Sequence, residues 1–268
     1  MNENTGTSLS LYTKRNITIF DRSGMQSGSA LIVSEMPLTI FLNDVELVTL
    51  TCSPGAGEEL AAGFLLSEGL VQSPADIREI TCCEEEGLLR VRTNSPVSPG
   101  ENFLRRHIAV CCGKVRAAPY IASDALRLQP VQSSNVFAAP HLLQLMVLLD
   151  EKSATFRLTG GVHCAALADG RDLLVMYEDI GRHNAVDKVL GHAFLRRIAP
   201  ADKCLLLSGR ISSEIIIKAV RSGIPLVVSR SAPTLLAVDL AEQLGIALVG
   251  FARGQRLNVY SHKEKVVT

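Results

Sequence analysis

The segment HIAVCCGKVRAAPY, His107 to Tyr120, sets two adjacent cysteines, Cys111 and Cys112, beside Gly113 and Lys114. Cysteine chemistry needs the thiolate, and a neighbouring cation such as Lys114 or Arg116 favours it. Gly113 permits a turn that exposes sulfur, and Arg105, Arg106 and His107 add to the local positive field. After the apolar Ile108-Ala109-Val110, however, adjacent cysteines can equally be small hydrophobes in a strand. The other cysteines stand at 52, 82, 83, 164 and 204. Seven in all, irregularly spaced in a chain this long, they do not read as a disulfide framework. No C-x-x-C or paired Cys/His unit is present, so no structural zinc site is expected.

Five further segments carry candidate chemistry. TGGVHCAAL supplies Gly160, Gly161 and His163, either a close backbone approach to a ligand or a tight lead into a hairpin. EDIGRHNAVDK puts Arg182 and His183 at a helix start, where donors and dipole favour an anion. On the plainer reading, Asp187 and Lys188 are a solvated helix face and His183 a cap. LLLSGRISSE and VVSRSAPT place Ser208, Arg210, Ser212, Ser229, Arg230, Ser231 and Thr234 at strand ends, as phosphate ligands or as helix caps. GFARGQRLNVYSH carries Arg253, Gly254 and Arg256 in one short loop after a strand, a pattern suited to a phosphate clamp.

These residues need elements to hold them. The chain has 268 residues, with Lys+Arg and Asp+Glu at 27 each, so no global basic field points to nucleic acid. Its polar start lacks the pattern of a secretory signal, and nowhere do about 18 apolar residues run unbroken. A soluble, cytoplasmic protein with no membrane partner is expected.

PLTIFL and VELVTLTC, separated by Asn43 and Asp44, predict a hairpin. GAGEELAAGFLLSEGL predicts a helix stopping at Gly69, and EITCCEEEGLLRVRT a strand pair broken near Glu85–Gly87, with one of Cys82 and Cys83 facing inward. From about residue 136 the pattern is helix, hairpin, helix, strand, helix, strand, helix, strand. That alternation predicts parallel strands with helices on both faces. Two domains are expected, an α+β unit over 1–130 that ends in the cysteine loop and an α/β unit over 131–268.

The order of elements in the second unit is also that of the cytidine-deaminase-like fold. In zinc deaminases P-C-x-x-C opens one helix. Here the matching stretch SGRISSEI carries Ser212 and Ser213, so the three-ligand zinc site cannot be built.

Taken together, PLTIFLN, ELAAGFLLSEGL, the Cys-Gly-Lys segment, TGGVHCAAL, YEDIGRHNAVDKVLG, SGRISSEIIIKA, SRSAPTLLAVDLAE and GFARGQRLNVY resemble, in order, the FdhD family of formate dehydrogenase accessory sulfurtransferases. The likeness runs from about residue 30 to 262. It implies a cytidine-deaminase-like three-layer domain without zinc, preceded by a smaller α+β domain. It implies a sulfur carrier that takes persulfide sulfur from a cysteine desulfurase. The recipient would be the bis(molybdopterin guanine dinucleotide) molybdenum cofactor destined for formate dehydrogenase. A homodimer is implied as well.

The family usually has C-G-x-C-G in its loop, and VCCGKVR departs from it. If Cys112-Gly113 matches the first C-G, the second cysteine falls on Val115; if it matches the second, the first falls on Ala109. Cys112 is followed by Gly either way and is the expected persulfide carrier, with Cys111 the alternative. The resemblance carries nucleotide contacts onto Phe251, Ala252, Arg253, Gly254, Gln255 and Arg256, and His183 onto the same pocket. A cofactor-sheltering chaperone that passes no sulfur is the competing reading.

Overall fold

The structure, a computed structural model, describes residues 10–97 and 128–268. Cys111, Cys112 and the basic residues around them lie outside the described residues.

The chain begins with β1 (Tyr12–Asp21) and β2 (Gly24–Val33), an antiparallel hairpin that forms a sheet of its own. The sequence does not announce it, because most of its residues stay exposed, which erases the alternation that marks a half-buried strand. β3 (Met36–Leu42) and β4 (Val45–Cys52) form the expected hairpin. Its turn residues Asn43 and Asp44 have φ of 50° and 67°, the two positive angles of a type I′ turn.

β5 (Ile77–Cys83) and β6 (Leu88–Thr93) complete a four-stranded sheet of order β4-β3-β6-β5. A 3-10 turn over Glu84–Glu86 separates them, and Cys82 packs toward the core as expected. α1 (Gly57–Glu68) covers this sheet with Leu60, Phe64 and Leu65. It ends at Gly69, whose φ of 73° lets its N–H close back on the carbonyls of Leu65 and Leu66.

β7 (Phe137–Ala138) leads into α2 (Ala139–Lys152) and α3 (Ala154–Thr159). One helix was expected across this stretch. It divides at Ser153 because the Glu178 carboxylate, from a later strand, accepts the N–H groups of Thr155 and Phe156 at 2.9 Å each and starts a second helix there.

β8 (His163–Ala168), β9 (Leu173–Asp179), β10 (Cys204–Leu207), β11 (Leu226–Ser229), β12 (Ala247–Arg253) and β13 (Arg256–Ser261) form a six-stranded sheet of order β13-β12-β11-β10-β8-β9. The three central strands, β10, β11 and β12, are parallel, and the flanking strands run antiparallel. β10 shows why the sheet is covered twice. Leu205 and Leu207 face one apolar layer and Cys204 and Leu206 the other, all four buried.

On the first face lie α4 (Arg182–Leu195), α5 (Ser213–Arg221) and α6 (Leu235–Gln243); on the second lies α2, through Leu142, Leu145, Met146 and Leu149. The result is a three-layer α/β arrangement. β14 (Val266–Val267) returns to pair with β7. No helix among the described residues is long and apolar enough to cross a membrane.

α1 joins the two sheets by lying against α4 at a separation only glycine allows. A Cβ on Gly63 would stand 1.8 Å from the Asp187 carbonyl oxygen, and one on Gly191 would stand 1.8 Å from that of Glu59. Backbone therefore meets backbone on both sides of the contact.

Candidate functional site

The carboxyl ends of β10, β11 and β12 fall on one edge of the sheet, where open α/β sheets bind ligands. Each strand delivers a polar segment to that edge. After β10 come Ser208, Gly209 and Arg210; after β11 come Arg230 and Ser231; β12 runs out to Arg253.

Many of the serines there are structural. Ser208 Oγ accepts the Cys164 N–H at 2.9 Å, and Ser229 Oγ donates to the Gly209 carbonyl at 2.6 Å and accepts the Ser231 N–H at 3.0 Å. Thr234 caps α6 by accepting the Ala237 N–H at 3.3 Å. Ser212 occupies the N-cap position of α5 but makes no cap bond; its hydroxyl lies 3.2 Å from His183 Nε2 instead. Glu214 Oε2 is 3.6 Å from the same nitrogen. Arg230 is held at the rim by Asp150, at 2.7 Å.

The stretch from Phe251 to Arg256 is a tight hairpin between β12 and β13, where sequence reading had a loop after a single strand. Gly254 takes φ of 61° at the first turn position, and no atom lies within 4 Å of where its Cβ would be. Arg253 and Arg256 face each other across the ladder, both exposed, with no carboxylate in ion-pair reach among the described residues. Like charges directly opposite disfavour a strand pair, so an anion laid between them would relieve the repulsion. The Arg253 guanidinium sits 5.8 Å from the Phe251 ring centroid, and Phe251 itself has φ of 51° at the irregularity in β12. Ala252 is buried beneath, and Gln255 is exposed in the turn. His183 stands apart from this turn, at the start of α4 beside the end of β10.

The start of α4 is fixed by a buried polar network. Asp179, the last residue of β9, is fully buried. Its Oδ1 accepts from Gly181 N at 2.9 Å and Asn184 Nδ2 at 3.0 Å, and its Oδ2 accepts from Ser53 N at 3.1 Å. Lys188 Nζ lies 2.8 Å from Oδ2 and donates to the Ser53 carbonyl at 3.0 Å. One residue back, Lys218 Nζ reaches both Asp187 oxygens at 2.7 and 2.8 Å while Ser67 donates to one of them at 2.7 Å. The solvated-face reading of Asp187 and Lys188 is thus corrected: they are 2 % and 1 % exposed. Apart from Asp179 at the end of β9, their partners lie 31 to 135 residues away, on elements that the helical period alone does not bring into view.

Four of the five described cysteines are poor nucleophiles. Burial pushes the thiols of Cys52, Cys164 and Cys204 up to about 12 and that of Cys82 up to about 11. Negative neighbours add to the effect, Asp179 at Cys52 and Glu84 at Cys82. Cys83, half-buried, opens the acidic turn Glu84–Glu86. Among the described residues no group of three or more His, Cys, Asp or Glu is placed to hold a metal ion.

Fold and site together define a three-layer α/β protein that presents cationic, ligand-ready groups at the carboxyl edge of its sheet. More particularly, the chain belongs to the FdhD/NarQ family, whose model matches residues 33–267. A relative from Listeria innocua described as sulfur carrier protein FdhD is 41 % identical over 260 residues, 96 % of this chain and 100 % of the relative. One from Bacillus subtilis with the same description is 40 % identical over 253 residues, 94 % of this chain and 96 % of the relative. The fold also matches a Desulfotalea psychrophila crystal structure assigned as a formate dehydrogenase accessory protein. That match has a TM-score of 0.81 and 28 % identity, covering 96 % of this chain and 100 % of the other.

Proposed function

We propose that this chain is a sulfur carrier serving formate dehydrogenase, with Cys112 holding the sulfur as a persulfide. The observation that carries the reading is that burial raises the thiol pKa of four of the five described cysteines, Cys52, Cys82, Cys164 and Cys204. Of the remaining cysteines, Cys111 and Cys112 have the cations Lys114 and Arg116 nearby in sequence, which favour a thiolate, whereas Cys83 adjoins Glu84, Glu85 and Glu86. The names of the relatives support sulfur carriage.

In the transfer, the Cys112 thiolate attacks the outer sulfur of a cysteine desulfurase persulfide. A new S–S bond forms on Cys112, the donor S–S bond breaks, and the donor cysteine leaves as thiolate, so no outside oxidant or reductant is consumed. The sulfane sulfur would then leave Cys112, which departs as thiolate, for the bis(molybdopterin guanine dinucleotide) molybdenum cofactor, which is cargo here; the two electrons that take it to sulfide would come from the cofactor's metal or from a thiol reductant. Arg253 and Arg256 would pair with its phosphates, with Phe251, Ala252, Gly254 and Gln255 forming the approach and His183 contributing from α4. The three-layer unit is read as cytidine-deaminase-like, the division as 1–130 and 131–268, the assembly as a homodimer and the setting as cytoplasmic.

The test is to incubate the purified chain with a cysteine desulfurase and radiolabelled cysteine. Label that reductant releases should appear on the wild type and be lost in Cys112→Ala. Undiminished loading of that variant rules out Cys112, and loss only in Cys111→Ala moves the role to its neighbour. Full rescue of formate dehydrogenase activity by the double Cys111→Ala, Cys112→Ala variant would instead establish a chaperone that passes no sulfur.

A further inference from the structure

The β1–β2 hairpin is a sheet of two strands, and among the described residues its strands pair only with each other. Two strands alone are marginal in water, and a third is what normally steadies them. The two outer edges differ. β1 carries Lys14, Arg15 and Asp21, charges of the kind that guard an open edge, whereas β2, from Gly24 to Val33, has no charged residue, no proline and no bulge.

The unguarded edge presents a defined set of groups. Ser34 donates its N–H to the Leu11 carbonyl, which fixes the phase of the ladder: even-numbered residues of β2 turn their N–H and C=O groups to β1, and odd-numbered ones turn theirs outward. Met25, Ser27, Ser29, Leu31 and Val33 therefore line the open edge, and no main-chain partner reaches them there among the described residues.

Apolar side chains lie at both ends of this edge. At the tip Phe20 and Met25, directly opposite each other, are 76 % and 80 % exposed. At the base α3 leaves Phe156 and Leu158 43 % and 51 % exposed, and Val33 lies against Gly161 just beyond that helix. Tip and base also carry opposite charges, Arg22 and Glu35, both exposed.

We infer that β2 pairs antiparallel with β2 of a second copy of this chain, across a two-fold axis at Ser29. That centre sets every outward residue against an outward residue: Met25 against Val33, Ser27 against Leu31, and Ser29 against itself. The product is a four-stranded sheet whose new edges are the charged β1 strands, so assembly closes at two copies. In the same register the tip of each arm lies at the base of the other. Its apolar pair comes against α3 of the copy, and Arg22 falls beside Glu35 of the copy, which stands opposite Ser23.

At about 150–200 Å² per large side chain, the exposures of Phe20, Met25, Phe156 and Leu158 amount to roughly 400 Å² on each chain. With the ladder itself, a strip ~30 Å long, the contact clears the ~1,000 Å² of a specific interface. The inference rests on the homodimer reading above and gives that dimer its contact; it is independent of the sulfur step.

The experiment is sedimentation equilibrium of the full chain, with amide hydrogen exchange as a second readout. Wild type should be a dimer in which the outward amides of β2 are protected. Arg22→Glu and Glu35→Arg each set like charges together at two symmetric places, and each should raise the dimer dissociation constant about 10-fold or more. The double variant should return it to within about 3-fold of wild type. Ser29→Pro removes an outward N–H at the axis and should dissociate the dimer. Asn16→Pro, directly opposite on the guarded edge of β1, bears a like cost to the hairpin and should leave the dimer intact.

A dimer indifferent to both charge reversals and to Ser29→Pro overturns this contact and leaves the homodimer reading standing. A monomeric wild type overturns both, and β2 amides protected in that monomer would show the edge covered by the chain itself. Single reversals that dissociate the dimer without recovery in the double variant refute the register, and with it the inference.

Discussion

Lys188 Nζ sits 2.8 Å from Asp179 Oδ2 with both side chains at most 2 % exposed, so the start of helix α4 is tied down by an ion pair out of contact with water. Removing one partner leaves the other charged in an apolar surround. Lys188→Ala is expected to destabilise the fold by about 3–5 kcal/mol, whereas the paired Asp179→Asn, Lys188→Met change should cost clearly less than the single substitution. Urea denaturation of the three proteins checks this, and an equal loss in single and double variants would contradict it.

The α1–α4 contact makes a steric prediction. With 1.8 Å between the Gly63 Cβ position and the Asp187 carbonyl oxygen, Gly63→Ala must push the helices apart. A loss of at least ~1–3 kcal/mol is expected. Gly254→Ala meets no atom within 4 Å and bears only the strain of its φ of 61°, so its loss should be the smaller one. Melting temperatures of the two variants would test the order.

Thiol accessibility can be read directly. At pH 8 a thiol whose pKa is pushed to about 12, as for Cys52, Cys164 and Cys204, is ionised to roughly one part in ten thousand. Brief alkylation of the native chain followed by peptide mapping should leave these three unmodified. Rapid labelling of Cys164 under native conditions would refute the assignment.

Two histidines set a pH dependence. Burial lowers the pKa of His163, with Arg182 contributing, and burial lowers that of His192, with Arg196 contributing. A group whose folded pKa lies below its unfolded value near 6.5 makes the unfolded chain bind more protons in that window. Their contribution is therefore complete above about pH 6.5 and is lost as pH falls through the folded values. Between pH 5 and 7 the urea midpoint should rise with pH, and His163→Gln should flatten the rise; an identical slope in wild type and variant would exclude His163 as a source.

The arginine turn gives a binding prediction. Arg253→Ala and Arg256→Ala should each weaken GDP binding about 10-fold, and the wild-type affinity should fall as salt is raised, because both side chains are exposed. Binding that is indifferent to both substitutions would remove this turn from the site.

The residues show which features the chain announces locally. Asn43-Asp44 between apolar runs can hardly be anything but a tight turn, and Gly69 after Leu65 and Leu66 stops a helix whatever surrounds it, because the backbone angles involved are set within a few residues. The alternation of helices and strands after residue 136 was legible for the same reason, as were the arginines around Gly254. The destination of side chains was another matter. Asp187 and Lys188 look like a solvated face on a helix considered alone; they are buried because α1, α5 and the Ser53 segment arrive from elsewhere in the chain to meet them. The exposed β1–β2 hairpin carries too weak an alternation to be read. Turns and periods follow from sterics between neighbours in sequence, whereas burial and pairing follow from contacts between distant segments that form when the sheets and helices close on one another.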